Sequence, residues 1–164
     1  MTESKLNLGS GTDYKTNWVN VDYFNKFNPD ICFDLNKLPY PFKDNTFDEV
    51  LMKHIIEHLD KPAEVLKEIN RICKSNAIIQ INTPHFSSNN AWGDIEHKRP
   101  FNYSCFTNYC NNYGGFEIIK QKITFSHWKF FMRPIVKLIP QFYEKHLAYI
   151  FTAVDLRTTL KVIK

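Results

Sequence analysis

The feature that most constrains this chain is its opening. A strand-like run, Lys5–Gly9 (KLNLG), ends in Leu8-Gly9-Ser10-Gly11, and only Thr12–Asn17 separate that turn from a second run, Trp18–Asp22 (WVNVD). The second run alternates with period two, as a strand does. Glycine tolerates positive φ and lets a ligand approach the backbone with no Cβ in the way. A dinucleotide fingerprint would need G-x-G-x-x-G and a helix whose N-terminus seats a pyrophosphate. Here Tyr14 takes the third position, and Thr12–Asn17 is too short for a crossover helix. The pyrophosphate seat is missing, which argues against NAD.

Further strand candidates alternate with helix or loop, the mark of a parallel α/β sheet. They are Asp30–Phe33, Phe47–Met52 and Ala77–Asn82, the last apolar and β-branched enough to be central. One helix lies between the fourth and fifth strands. Asp60 can cap it, Pro62 sits in its first turn, and Val65, Ile69 and Ile72 recur at helical spacing with Leu66 and Cys73 beside them. Residues 84–106 lack periodicity and read as a long loop, a length that in compact domains is usually functional or disordered. A short helix (Ser104–Tyr113) ended by Gly114-Gly115 and a long strand (Phe116–Phe125) follow. His127–Asp155 reads as helical with breaks at Pro134 and Pro140, and Thr158–Ile163 as a closing strand.

Bulk composition narrows the class. At 164 residues, with no internal repeat, the chain fits a single domain, 1–164. Hydrophobic residues at 43% and charged residues at 23% exclude disorder on a large scale. The net charge of +4 is too mild to signal nucleic acid, while it suits an anionic substrate or contact with a membrane surface. Cys32, Cys73, Cys105 and Cys110 form no C-x-x-C pair, so most are expected to be buried thiols in a reducing compartment. No apolar h-region precedes the glycine motif, and no run approaches the ~20 apolar residues of a membrane span. A cytoplasmic location is expected.

Three features then fall in order at predicted strand ends. They are the glycine turn, Asp22 closing the second strand, and Asp34-Leu35 just past the third. An acid at the end of the second strand can accept both hydroxyls of a ribose. A carboxylate after the third can read an adenine amino group, with Leu35 against the ring. Ligands of open α/β sheets bind beyond the carboxyl ends of the strands, so the three converge on one crevice. An adenosyl ligand without phosphate, such as S-adenosylmethionine (SAM), needs no pyrophosphate seat.

The run LNLGSG…WVNVD…DLNKLPYPFKDNTFDEVLMKHIIEHLDKPAEVLKEINRICK resembles the type-11 class I SAM-dependent methyltransferases. It is most similar to the small subset associated with surface-polysaccharide and lipid-linked sugar biosynthesis. The likeness is specific over residues 6–82 and looser from there to TTLKVIK. It implies a Rossmann-like α/β fold with a mostly parallel seven-stranded sheet in the order 3-2-1-4-5-7-6, strand seven antiparallel. This chain departs from the pattern at Asp13, where a third glycine is common, and in its shortened N-terminus without a proper first helix. By position, Gly9 and Gly11, with Ser10 between them, would line the methionine part of SAM. Asp22 would meet the ribose, Asp34 and Leu35 the adenine, and Lys53 and His54 the sulfonium region, with Tyr23 also counted among the cofactor-binding residues.

On the acceptor side, class I methyltransferases often build the site after the fifth strand, where this chain has His85, Trp92, Asp94, His97, Lys98 and Arg99. His97 oriented by Asp94, with His85 nearby, is a candidate general base working near neutral pH. Two metal arrangements compete: His54 with His58 in HIIEH, and Asp94-x-x-His97 with His85. The stronger expectation is no metal, with His54 bordering the cofactor and His58 fixing the loop. The stretch His127–Pro140 opens a segment, 127–155, that is a lid, an interface for a dimer or a lipid-linked substrate, or plain core. The expected function is transfer of a methyl group from SAM to an oxygen or nitrogen of a small-molecule or carbohydrate-type acceptor. The alternatives are a SAM-binding sensor or accessory subunit without turnover, and a metal-dependent hydrolase or isomerase using His54, His58, His85 and His97.

Overall fold

A computed structural model describes residues 4–129 and 131–164. Residues 1–3 and Phe130 of the 127–155 segment lie outside the described residues. Strands β1 (Lys5–Leu8), β2 (Val19–Asp22), β3 (Ile31–Cys32), β4 (Phe47–Lys53), β5 (Cys73–Pro84), β6 (Phe116–Ile123) and β7 (Asp155–Val162) form one sheet in the order β3-β2-β1-β4-β5-β7-β6. The pairs β1–β2, β1–β4, β2–β3 and β4–β5 are parallel, and β7 runs antiparallel to both neighbours. The implied strand order and the reversed seventh strand are borne out.

One face of this sheet makes the core. Val50 and Met52 of β4, Ile79 and Ile81 of β5, and Leu160 and Val162 of β7 are fully or almost fully buried. Helix α1 (Pro62–Ile72) lays Val65, Leu66, Ile69 and Ile72 on them, each burial contributing about 1.5–3 kcal/mol. Residues on the other face of β4, β5, β7 and β6 are partly buried or exposed, apart from the buried pair Pro84 and Asp155, which is unusual because parallel sheets are normally covered on both sides.

Several boundaries differ from expectation. Strand β5 begins at Cys73 rather than Ala77, because Cys73 already pairs with Phe47 and the polar Lys74-Ser75-Asn76 stretch hides the extension. The closing strand starts at Asp155 rather than Thr158, β3 shrinks to Ile31–Cys32, and β6 stops at Ile123. Asp60 does not cap α1. Its N-cap is Lys61, with no side-chain cap, while Asp60 Oδ1 accepts from Lys98 Nζ at 2.6 Å and its carbonyl accepts from Arg99 Nη2 at 2.7 Å. Residues 84–106 are not all loop: Ser88 caps a short helix, α2 (Asn89–Gly93), and His85 bridges to Phe101. Helix α3 (Ser104–Tyr113) ends at Gly114 as expected.

The 127–155 segment holds two short helices, α4 (Met132–Leu138) and α5 (Pro140–His146). Pro140 separates them as predicted, but Pro134 does not break α4, because it sits in the first turn where a missing N–H costs nothing. Met132, Val136 and the fully buried Tyr143 join the core, while Leu138, Phe142, Tyr149 and Ile150 are exposed. Of the cysteines, Cys73 is buried, Cys105 and Cys110 are half-buried and Cys32 is exposed. Among the described residues no helix is long and apolar enough to cross a membrane.

Candidate cofactor cleft

The turn after β1 is held from both sides. Gly9 N and Ser10 N each donate to Val21 O at 2.9 Å, which locks the turn against the end of β2. Gly9 has φ +69°, and a Cβ there would lie 2.7 Å from Ile55 Cγ1. Gly11 has φ +48°, and a Cβ there would meet nothing within 4 Å. The first glycine is therefore demanded by packing, and the second leaves open space.

A pair of asparagines stabilises the Thr12–Asn17 loop without a helix. Asn7 Nδ2 donates to Asn20 Oδ1 at 3.0 Å and to Asp13 O at 2.9 Å. Asn20 Oδ1 also accepts from Lys15 N at 2.9 Å, and Asn20 Nδ2 donates to Asp30 Oδ2 at 3.0 Å. Both asparagines are buried, so a fully satisfied network is what makes their position tolerable.

Asp22 closes β2 almost buried. Its Oδ2 accepts from Gly11 N at 2.7 Å and its Oδ1 from Phe24 N at 2.8 Å. Each carboxylate oxygen has a second lone pair, so both can still accept from a ligand. Asp34 is partly exposed, with Oδ1 accepting from Asn36 N at 2.9 Å, and Leu35 beside it is buried. These residues converge as expected. Gly9, Gly11, Asp22, Asp34 and Leu35 line one cleft of about 450 Å³ at the carboxyl ends of β1, β2 and β4. Tyr23 lines it too, joined by Phe24 and Phe27, which the sequence reading did not single out. Ser10 is buried in the turn, and its Oγ has no hydrogen-bond partner.

His54 also lines the cleft. Among the described residues the non-glycine positions at positive φ are Asn17, Asn28, Asn45, Asn76 and His54. Asparagine and histidine are both enriched there among non-glycine residues, and a residue held in this region at a cleft is a candidate for function. His54 Nδ1 lies 3.4 Å from Glu57 Oε1 and Nε2 lies 3.9 Å from Asp155 Oδ1. The Glu57 carboxylate, with Asp155 behind it, raises the imidazole's pKa above 6.5, against the opposing effect of half-burial. Glu57 is buried, and its other oxygen accepts from Thr83 Oγ1 at 3.0 Å. Neither Glu57 nor Asp155 was singled out from the sequence. The one available signal was their flanking positions, Glu57 within HIIEH and Asp155 at the start of the closing strand.

The remaining candidates scatter. Lys53 Nζ pairs with Asp13 Oδ2 at 3.1 Å and lines a groove on the open sheet face rather than the cleft. His85 is fully buried, its Nε2 3.0 Å from Glu144 Oε1 and its Nδ1 2.9 Å from Ser87 Oγ, and it does not line the cleft. His97 Nε2 is 3.9 Å from Asp94 Oδ2, too long for a hydrogen bond, and its Nδ1 faces Ala91 O at 3.2 Å. Its ring sits edge-on to His58 at 4.6 Å. Among the described residues, one group could bring three ligand atoms within 4.8 Å: Glu57, His58 and His97. Asp94, His97 and His85 do not form such a group among the described residues.

Residues 6–81 match a family model described as a methyltransferase domain. No curated protein sequence matches the chain. Among solved structures, a SAM-dependent methyltransferase from Archaeoglobus fulgidus superposes with a TM-score of 0.70 at 21% identity, over 97% of this chain and 86% of the other. A SAM-dependent methyltransferase from Mesorhizobium loti gives 0.64 at 12% identity, over 97% and 90%. The [4+2]-cyclase SpnF gives 0.65 at 16% identity, over 98% and 74%. The fold is the one these proteins share. The matched segment, residues 6–81, carries the glycine turn, Asp22, Asp34 and Leu35 of the cleft.

Proposed function

We propose that this chain transfers the methyl group of SAM to an oxygen or nitrogen of a small-molecule or carbohydrate-type acceptor. The observation that carries the reading is the cleft itself. A glycine turn, a buried acid with lone pairs to spare and a second acid with Leu35 beside it converge at the carboxyl ends of neighbouring strands.

The residues present fit the cofactor. The open space at Gly11 lets a ligand lie against the backbone, and the unpartnered Ser10 Oγ is a polar group in the same turn. Asp22 would hold the ribose, Asp34 and Leu35 the adenine, and Gly9 to Gly11 the methionine part. Asp22, Asp34 and Glu96 around the cleft favour a ligand carrying positive charge. SAM, when bound, supplies an electrophilic methyl group on a sulfonium.

His54 is the group placed to handle the acceptor's proton. It borders the cleft, and Glu57 and Asp155 stabilise the imidazolium that forms when its neutral ring takes a proton. We assign it the base role in preference to His97 and Asp94, whose side chains do not line the cleft. His85, buried against Glu144, is a positioning residue at the root of the 84–106 segment. That segment and the exposed apolar side chains of 127–155 are kept as the acceptor-side surfaces; a membrane contact or a second copy of the chain could use the latter.

Titration calorimetry with SAM and S-adenosylhomocysteine tests the cofactor assignment. Micromolar binding, roughly −8 kcal/mol, is expected, with near loss in Asp22→Ala. Equal affinity in that variant would refute the cradle. Turnover is tested separately by S-adenosylhomocysteine accumulation across a panel of sugar and small-molecule acceptors. Binding without accumulation for any acceptor favours the accessory reading.

A further inference from the structure

The uncovered face of the sheet is basic and built in register. Lys53, Asn82, Arg157 and Lys122 are successive Cα partners across β4, β5, β7 and β6, so their side chains form one row. The next row on the same face is Leu51, Gln80, Thr159 and Lys120. Adjacent strands lie ~4.8 Å apart, so the first row runs about 14 Å from Lys53 to Lys122. Together the rows line an open groove of about 470 Å³. A second groove shares Arg157 and Lys122 and adds Arg133; a third shares Lys122 and Arg133 and adds Lys137.

The third row, Glu49, Ile78, Lys161 and Glu117, carries two acids, but charge in the first two rows is poorly compensated. Lys53 pairs with Asp13 at 3.1 Å and Arg157 with Asp155 at 3.6 Å. Lys120, Lys122, Arg133 and Lys137 have no acidic partner among the described residues. An apolar helix is a poor occupant, because the rows present mostly polar side chains. A second copy packed face to face would set these cations against themselves. The groove on the sheet holds no aromatic side chain on which a base could stack, so single-stranded nucleic acid is disfavoured as well. What remains complementary is a compact, highly charged anion.

The row also ends at the reaction site. Lys53 immediately precedes His54, and Asp155 lies between Arg157, at 3.6 Å, and His54, at 3.9 Å. The groove and the cleft share no lining residue, so a ligand with its charge on Arg157 and Lys122 must extend past Lys53 to present its other end to His54. We propose that the acceptor is a phosphorylated small molecule, a diphosphate ester, whose phosphates lie on Arg157 and Lys122 beside Lys53. This rests on the transferase reading above and names the substrate class for that site.

The test is calorimetry on the full chain with inorganic pyrophosphate, followed by SAM in the same sample. Pyrophosphate is expected to bind, more weakly as salt rises. In Lys122→Gln/Arg157→Gln its affinity is expected to fall at least ~10-fold, the loss of about 1.4 kcal/mol that one charge-assisted contact represents. SAM affinity should stay within about two-fold, which also certifies that the variant is folded. A chain that binds SAM but not pyrophosphate, or a double variant that binds pyrophosphate as wild type does, overturns the inference alone. A short single-stranded RNA binding more tightly than pyrophosphate at matched salt also overturns it and reassigns the groove. Pyrophosphate bound without SAM would uphold the anion site and refute the transferase reading.

Discussion

Replacing Gly9 by alanine separates what the glycine turn does for folding from what it does for the cofactor. The new Cβ would stand 2.7 Å from Ile55 Cγ1, 2.8 Å from Cδ1 and 3.0 Å from Cβ, with the backbone at φ +69°. Those contacts reach the root of the isoleucine, so a rotamer change does not relieve them. The left-handed backbone costs an alanine about 1–2 kcal/mol and overpacking adds about 1–3, so Gly9→Ala should destabilise by about 2–5 kcal/mol. For a chain of this length that lowers Tm by about 4–20 °C in a thermal unfolding scan. Gly11→Ala carries the backbone strain alone, about 1–2 kcal/mol, because its Cβ would meet nothing within 4 Å. It should act on SAM affinity, since Gly11 lines the cleft. The decisive measurement is a double-mutant cycle with Ile55→Ala, which removes two of the three clashing atoms. A favourable coupling of at least ~0.5 kcal/mol with Gly9→Ala, and none with Gly11→Ala, is expected. Additivity in both cycles would refute the packing account of Gly9.

The other predictions concern protons. His54 should titrate above 6.5 by NMR, because the Glu57 carboxylate favours its charged form, and Glu57→Gln should bring the midpoint down. If the neutral ring is the base, the transfer rate rises with pH through that midpoint; a flat profile would remove His54 from the chemistry. Glu68 accepts from Tyr40 N at 2.6 Å and from Arg71 Nε at 2.9 Å, and the Arg71 guanidinium holds its carboxyl below 4.5. The stability it contributes is full above that value and drains away as pH falls through the lower, folded one. Glu68→Gln should cost about 1.5–3 kcal/mol in urea unfolding near neutral pH, with a shallower acid dependence than wild type. An unchanged acid dependence would be evidence that the pair is idle.

The elements that position the cofactor were legible because each has a local cause. A glycine turn, period-two runs and acids at strand ends are all written within a few residues, and α1 carries its own helical spacing with Pro62 at its start. The residues read for the acceptor side show where local pattern stops. Nothing near His85 says that Glu144, 59 residues on, buries it, and nothing near His97 says that it turns toward His58. The same holds for Asp155, which reaches His54 only because β7 inserts antiparallel beside β5. Non-local pairing decides these contacts, and short-range pattern does not encode it.

One sequence fact links the cofactor turn to the open sheet face. Thr12–Asn17 is too short for a helix, so the turn after β1 needs another support, and Asn7 with Asn20 provides it through side-chain bonds to Asp13 and Lys15. A loop held so tightly covers only the β1 end of the sheet, where Asp13 reaches across to Lys53. Beyond it, most side chains of β4, β5, β7 and β6 on that side stay open, and α4 flanks the β6 edge. A face exposed by simple loss of a helix would keep the apolar residues that once packed there. This one keeps Leu51 and Ile78 but is otherwise made of Lys53, Gln80, Asn82, Arg157, Lys120 and Lys122. Its polarity suits a face that works in contact with water and charge, and Lys53 at its edge directly precedes His54.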